Sequence, residues 1–348
     1  MKKIQSFLYL SFLTLVIFLS SCKTEDENPN PAADVIVINE GNFNSADGSL
    51  SAFNTQTKQV SLGIFESVNG FPLAGTIQNA TVYNGKYYFV INSADKLEIV
   101  EAQNLSSVKT LRNTFSATNF ATPYSFAAVG NKAYVSNWGT LNLNDFSYSD
   151  PFITLIDLNT NTVSGKINRT LKPQHLLAVG QNIYIANVES NTISVLNTAD
   201  NQIVKEIEVA NYPDKMVLDK NNKIWVICQS GNLVRVNPAN NSVETTISGI
   251  SIQGFNEKMI LNQNADKLYW LGSGGKVFEM AITATTAPNT PIITQSRAYG
   301  IGADKNNLIY ITDHNNYVGN GKVRRFQTNG ALLDSLAAGR IPSGFIFK

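Results

Sequence analysis

One short element recurs seven times along the chain, and it limits the fold more than any other feature. It places an apolar or aromatic residue first, an aliphatic or aromatic one second, one further residue, and then a small or polar one. It reads Ile36-Val37-Ile38-Asn39, Phe89-Val90-Ile91-Asn92, Tyr134-Val135-Ser136-Asn137 and Tyr184-Ile185-Ala186-Asn187. It continues as Trp225-Val226-Ile227-Cys228, Tyr269-Trp270-Leu271-Gly272 and Tyr310-Ile311-Thr312-Asp313. The first positions lie 53, 45, 50, 41, 44 and 41 residues apart. A period of this size with strand-type alternation predicts a β-propeller with one four-stranded blade per repeat.

Each unit supports that reading. Ahead of the element runs an apolar strand ending in a turn, as in Leu176-Leu177-Ala178-Val179 before Gly180-Gln181-Asn182. After it comes an alternating strand, Ile193-Ser194-Val195-Leu196, then a polar turn and a last strand from Ile203 to Val209. Asn, Asp and Gly at such turns set hairpin geometry. Helical periodicity is scarce beyond the first residues. Pro342-Ser343-Gly344-Phe345-Ile346-Phe347 reads as an inner strand, whereas Val35 opens on a second strand. The C-terminal strand is therefore expected to complete the N-terminal blade, which pairs two edges and seals the ring. The fold class predicted is all-β, a seven-bladed propeller over residues 34–348.

The first residues read differently. Lys2 and Lys3 precede an apolar run from Phe7 to Leu19, and Leu19-Ser20-Ser21-Cys22 follows. This is the layout of a signal peptide over residues 1–21, and the run is short for a membrane span. The small residues before Cys22 resemble a bacterial lipobox, which implies cleavage before Cys22 and lipid on its sulfur. An ordinary secretory signal beside a cysteine is the alternative. Residues 22–33 carry Lys23-Thr24-Glu25-Asp26-Glu27 and then Asn28-Pro29-Asn30-Pro31, a composition that builds a tether and no core. The acidic cluster resembles the surface-export signal of Bacteroidetes lipoproteins; a merely solvated linker has the same composition. The location expected is the outer membrane, lipid-anchored and surface-exposed.

Charge excludes one class of partner. Lys and Arg number 27 against 26 Asp and Glu, so no basic face for nucleic acid is expected. Cys228 is the one cysteine besides Cys22, and it follows the strand-like Ile224-Trp225-Val226-Ile227. It reads as a small apolar residue and not a reactive thiol.

The repeat closely resembles the YVTN-type propeller family. "AYVSNWGT" at Ala133 to Thr140 and "ITLIDLNTNTV" at Ile153 to Val163 carry the likeness, which extends over nearly all of the chain after Cys22. It speaks to fold; propellers host many activities.

Candidate site residues follow from the repeat. Loops leading into the inner strands, and loops after the second strands, meet around the central channel. Tyr124, His175, Lys215, Lys258 and Tyr299 stand ahead of inner strands; Asn39, Asn92, Asn137, Asn187 and Asp313 end second strands. Such a ring is rich in amide and hydroxyl groups, which both donate and accept. Asn at a strand end also serves turns, so a structural role is the alternative for each. Longer loops add Asn42, Phe43, Trp138 and His314, and long loops on a rigid scaffold concentrate binding residues. Two histidines, His175 and His314, exclude a His-rich metal site, and no Gly-x-Ser-x-Gly elbow is present. No catalytic residue and no cofactor are expected.

"VSNWGT" and "INEGNF" (Ile38 to Phe43) resemble in particular the Bacteroidetes surface lipoproteins that capture cobalamin for a TonB-dependent outer-membrane transporter. That resemblance implies non-covalent capture at the channel mouth. Two other classes stay open. One is a calcium-dependent lactonase-like hydrolase or lyase using Asp214, Glu257 or Asp313, since calcium takes oxygen ligands. The other is an adhesion or scaffolding propeller without a small ligand.

Overall fold

The computed structural model describes residues 33–43, 45–254 and 258–348. The expected signal peptide, Cys22, the expected tether up to residue 32, Asn44 and Glu257 lie outside these residues.

Seven four-stranded antiparallel sheets form the ring. The fourth blade shows the plan: Pro173–Val179 is innermost, followed outward by Asn182–Asn187, Thr192–Asn197 and Gln202–Glu208. Inner strands of successive blades contact one another around the channel. The first blade is closed as expected. Val35–Asn39 pairs antiparallel with Pro342–Phe347, with Ile36 opposite Ile346.

The core is divided among the blade interfaces. One cluster joins Ile36 and Leu50 of the first blade to Phe89 and Ile91 of the second. Another joins Tyr184 and Val195 of the fourth to Met216 and Val226 of the fifth. Seven such clusters stand at seven interfaces among the described residues. Each blade is therefore hydrophobic on both faces and cannot bury itself alone, which explains why its second strand carries apolar residues at successive positions and not only at alternate ones. Fully burying one of these large side chains is worth about 1.5–3 kcal/mol. Cys228 is completely buried in one cluster, and burial pushes its thiol up to about 12, so it stays protonated.

Turn chemistry fits the strands it joins. Asn161, Asn201 and Asn241 close the outer hairpins of the third, fourth and fifth blades with φ of 51°, 61° and 53°. Asn tolerates this left-handed geometry better than most residues. Two local features depart from the repeat. A short helix, Ile64–Asn69, buries Ile64 and Phe65. The long loop after Asn137 folds into a small hairpin, Thr140–Leu141 against Tyr148–Ser149. Gly139 permits it: at φ 98° a Cβ there would lie 1.9 Å from the Ser149 carbonyl oxygen.

Candidate functional site at the propeller mouth

The loops that enter inner strands and those that leave second strands meet at one end of the channel. They enclose a cavity of about 920 Å³. Phe43, Asn92, Tyr124, Trp138, Lys215, Lys258 and Tyr299 line it, as the sequence suggested.

The structure does not bring the other candidates to the cavity wall. Asn39, Asn137 and Asn187 are fully buried. Each donates from Nδ2 to a hydroxyl on the third strand of its own blade: Asn39 to Ser51 at 3.1 Å, Asn137 to Thr154 at 2.9 Å, Asn187 to Ser194 at 2.8 Å. All three are the last ladder residue of their strands, so the pleat points them onto the sheet face that carries those hydroxyls. Asn92 differs because its strand ends at Ile91, and Asn92 opens a 3₁₀ turn that exposes it to the cavity. Its Nδ2 donates to the Pro123 carbonyl at 3.0 Å.

Asn42 serves its own loop. Its N–H donates to Asp47 at 2.7 Å, and its side-chain oxygen accepts from Arg340 Nε at 2.7 Å. His175 is buried, and its Nδ1 accepts the Met216 N–H at 3.4 Å. Burial, aided by the Lys215 charge, holds that imidazole well below its ordinary pKa, hence neutral. His314 stacks on Tyr317 at 4.1 Å, behind Tyr299.

Asp313 is held by two arginines. Arg297 grips both its oxygens at 2.9 Å, and Arg324 reaches Oδ2 at 3.1 Å. Burial pushes the carboxyl up, but Arg297, the Asn315 N–H and Arg324 outweigh it and hold the pKa below the usual aspartate value. Asp214 accepts from Gln174 at 2.9 Å and Gln229 at 2.7 Å. Among the described residues no three His, Cys, Asp or Glu group as metal ligands would; Glu257 lies outside them.

One wall of the cavity is aromatic. Tyr124 and Trp138 stack at 4.7 Å and 10°, and Tyr148 meets Trp138 edge-on at 5.0 Å. The opposite wall is a polar cluster. Tyr299 Oη donates to Glu40 at 2.8 Å, while Lys258 Nζ lies 5.1 Å from the Tyr299 ring centre and donates to the Ser343 carbonyl at 3.1 Å. Burial raises the Glu40 carboxyl, against the lowering effects of Lys258 and Tyr299. Three polar atoms of the lining residues are buried without a protein partner among the described residues: Thr76 Oγ1, Trp138 Nε1 and Gln174 Oε1.

Sequence reasoning did not single out Lys172, Glu189 or Tyr212, which also line the cavity. A signal for two of them was present. Thr122, Lys172 and Tyr212 each precede a proline that opens an inner strand, and all three face the cavity. Thr122 and Tyr212 stand there at φ 49° and 60°, a conformation sparsely populated by such residues.

Solved structures share the fold. A quinoprotein alcohol dehydrogenase-like protein from Bacteroides thetaiotaomicron superposes with a TM-score of 0.68 at 14% identity, covering 91% of this chain and 78% of that one. A candidate 6-phosphogluconolactonase from Bacteroides uniformis gives 0.66 at 11% identity, covering 90% of this chain and 99% of that one. A streptogramin B lyase gives 0.51 at 15% identity over 77% of this chain and 87% of its own. Identities this low speak for architecture alone. No curated protein matches the sequence. Residues 34–328 match the family model of a domain of unknown function, DUF5074, and the chain belongs to that family.

Proposed function

We propose that this propeller captures a large, polar and largely uncharged ligand non-covalently at its mouth, and that the ligand is cobalamin. The observation that carries this reading is the lining itself. The amide side chains of Gln78, Asn79, Asn92 and Gln229 line the cavity together with Tyr124 and Trp138. Amides both donate and accept, so such a wall suits a ligand that is itself rimmed with amides. The cavity acids are met by the chain's own groups: Glu40 accepts from Tyr299, and Glu189 pairs with Lys172. A volume of about 920 Å³ is at the upper end for small-molecule sites.

In this reading a lipid on Cys22 holds the propeller at the outer membrane, and the acidic tether gives it reach toward a TonB-dependent transporter. Equilibrium dialysis of cyanocobalamin against protein from residue 33 onward tests the ligand. Retention of about one equivalent supports capture, and equal concentrations on both sides overturn it. Labelling with a radioactive fatty acid tests the anchor, which requires incorporation in the wild type and none in Cys22→Ser.

A further inference from the structure

The Trp138 indole is covered on both faces. Tyr124 stacks on one at 4.7 Å. Lys172 Nζ lies 4.2 Å from the centre of the same indole. A nitrogen at that height on the Tyr124 side would fall inside the stack, so it caps the opposite face. The Tyr148 ring stands at 80° to Trp138, and the same nitrogen lies 4.9 Å from its centre. Two aromatic rings at nearly a right angle thus converge on one ammonium. The Glu189 carboxylate, whose side chain is 67% exposed, pairs with that ammonium. Ring faces carry negative potential, and a carboxylate beside them adds a full negative charge. The chemistry is that of a cation-binding corner, and the chain's own lysine fills it.

We propose that this corner is a subsite for the cationic head group of a mouth ligand, a quaternary ammonium or methylated amine, and that Lys172 is its displaceable internal occupant. The two competing cations differ in hydration. A lysine ammonium is compact and strongly hydrated, and it sits on a flexible stem. A methylated ammonium is bulky and sheds water readily, which is why aromatic cages favour it. On displacement Lys172 swings to water at the mouth, where its partner Glu189 is already exposed. The rings remain, because Tyr148 is fixed in the hairpin, the Trp138 backbone N–H is bonded to the Thr122 carbonyl at 3.1 Å, and its indole is stacked on Tyr124. An internal competitor lowers apparent affinity by the fraction of time it occupies the site. The subsite goes beyond the cobalamin reading and stands if that reading fails.

Tryptophan fluorescence gives the test. The chain has 3 tryptophans, and Trp225 and Trp270 are 0% and 1% exposed, so a cavity probe is read through Trp138. Tetramethylammonium chloride is titrated at constant ionic strength made up with sodium chloride, and the neutral isostere 3,3-dimethyl-1-butanol is run beside it. The proposal predicts a saturable response to the cation and none to the alcohol, with about tenfold tighter binding in Lys172→Ala. Lys172→Gln keeps the stem without the charge and also binds more tightly than wild type; it carries the test if Lys172→Ala does not fold by circular dichroism. Where neither variant folds, the wild-type contrast between cation and alcohol decides. Equal responses to the two probes, no saturable response in any folded form, or folded variants no tighter than wild type would overturn the proposal.

Discussion

Tyr299, which opens the seventh blade, donates its hydroxyl to Glu40, in the first blade's loop, at 2.8 Å. The bond spans the seam where the ring closes, and it places a carboxyl in the cavity wall. Burial raises that carboxyl above the ordinary glutamate range. The folded state therefore holds a proton that the unfolded state releases. The Glu40 contribution to stability is fully present below the unfolded pKa and is lost as pH rises through the folded one. Glu40→Gln keeps an acceptor for Tyr299 and removes the charge. We expect the variant to melt above wild type at pH 7, with the gain shrinking toward pH 4 in thermal scans.

The opposite sign holds at Asp313, whose pKa is lowered by Arg297 and Arg324 against its burial. Its stabilisation is present above the unfolded pKa and is lost as pH falls through the folded one. Asp313→Asn leaves two guanidinium groups without their shared carboxylate. Breaking a buried pair costs about 3–5 kcal/mol, and the partial exposure of both arginines reduces that to about 2 kcal/mol. Urea titrations across the acid range check this: the deficit of the variant should be largest at pH 7 and shrink progressively as pH falls below the ordinary aspartate range.

Closure rests on apolar burial as well as strand pairing. Ile346 is 5% exposed and packs with Ile36, Ile38 and Leu50 across the seam. Ile346→Ala should cost about 2–4 kcal/mol in denaturant unfolding. Removing residues 341–348 should go further, producing soluble aggregates in size-exclusion chromatography, because the inner edge of Val35–Asn39 is then left unpaired.

Buried asparagines are predicted to matter for stability and not for capture. Asn137 accepts the Ala121 N–H at 3.0 Å while donating to Thr154. Asn137→Ala strands that N–H and should cost about 1–3 kcal/mol in chemical unfolding. Ligand retention by the folded fraction should be unchanged, since Asn137 does not line the cavity.

These residues also show where a sequence stops informing. The recurrence of Tyr134-Val135 and its six counterparts revealed the blades, because β alternation and turn chemistry are local properties. Pro342 to Phe347 revealed the closure, because an inner strand without its blade needs a partner. The four asparagines looked alike in sequence, yet Asn92 lines the cavity and Asn39, Asn137 and Asn187 do not. The difference is one residue of ladder length, which no local pattern records. The clue lay a strand away, in the hydroxyls of Ser51, Thr154 and Ser194 that receive the buried amides. The Lys172–Glu189 pair over Trp138 was hidden for a related reason: its parts come from separate loops joined only by the ring.

The most direct test of the central claim is calorimetric titration of cyanocobalamin into folded protein from residue 33 onward, beside a Trp138→Ala variant. Capture at the mouth predicts saturable binding of micromolar affinity or better, weakened at least about tenfold when the Tyr124–Trp138 wall is broken. No heat at several temperatures, or binding untouched by the substitution, would contradict it.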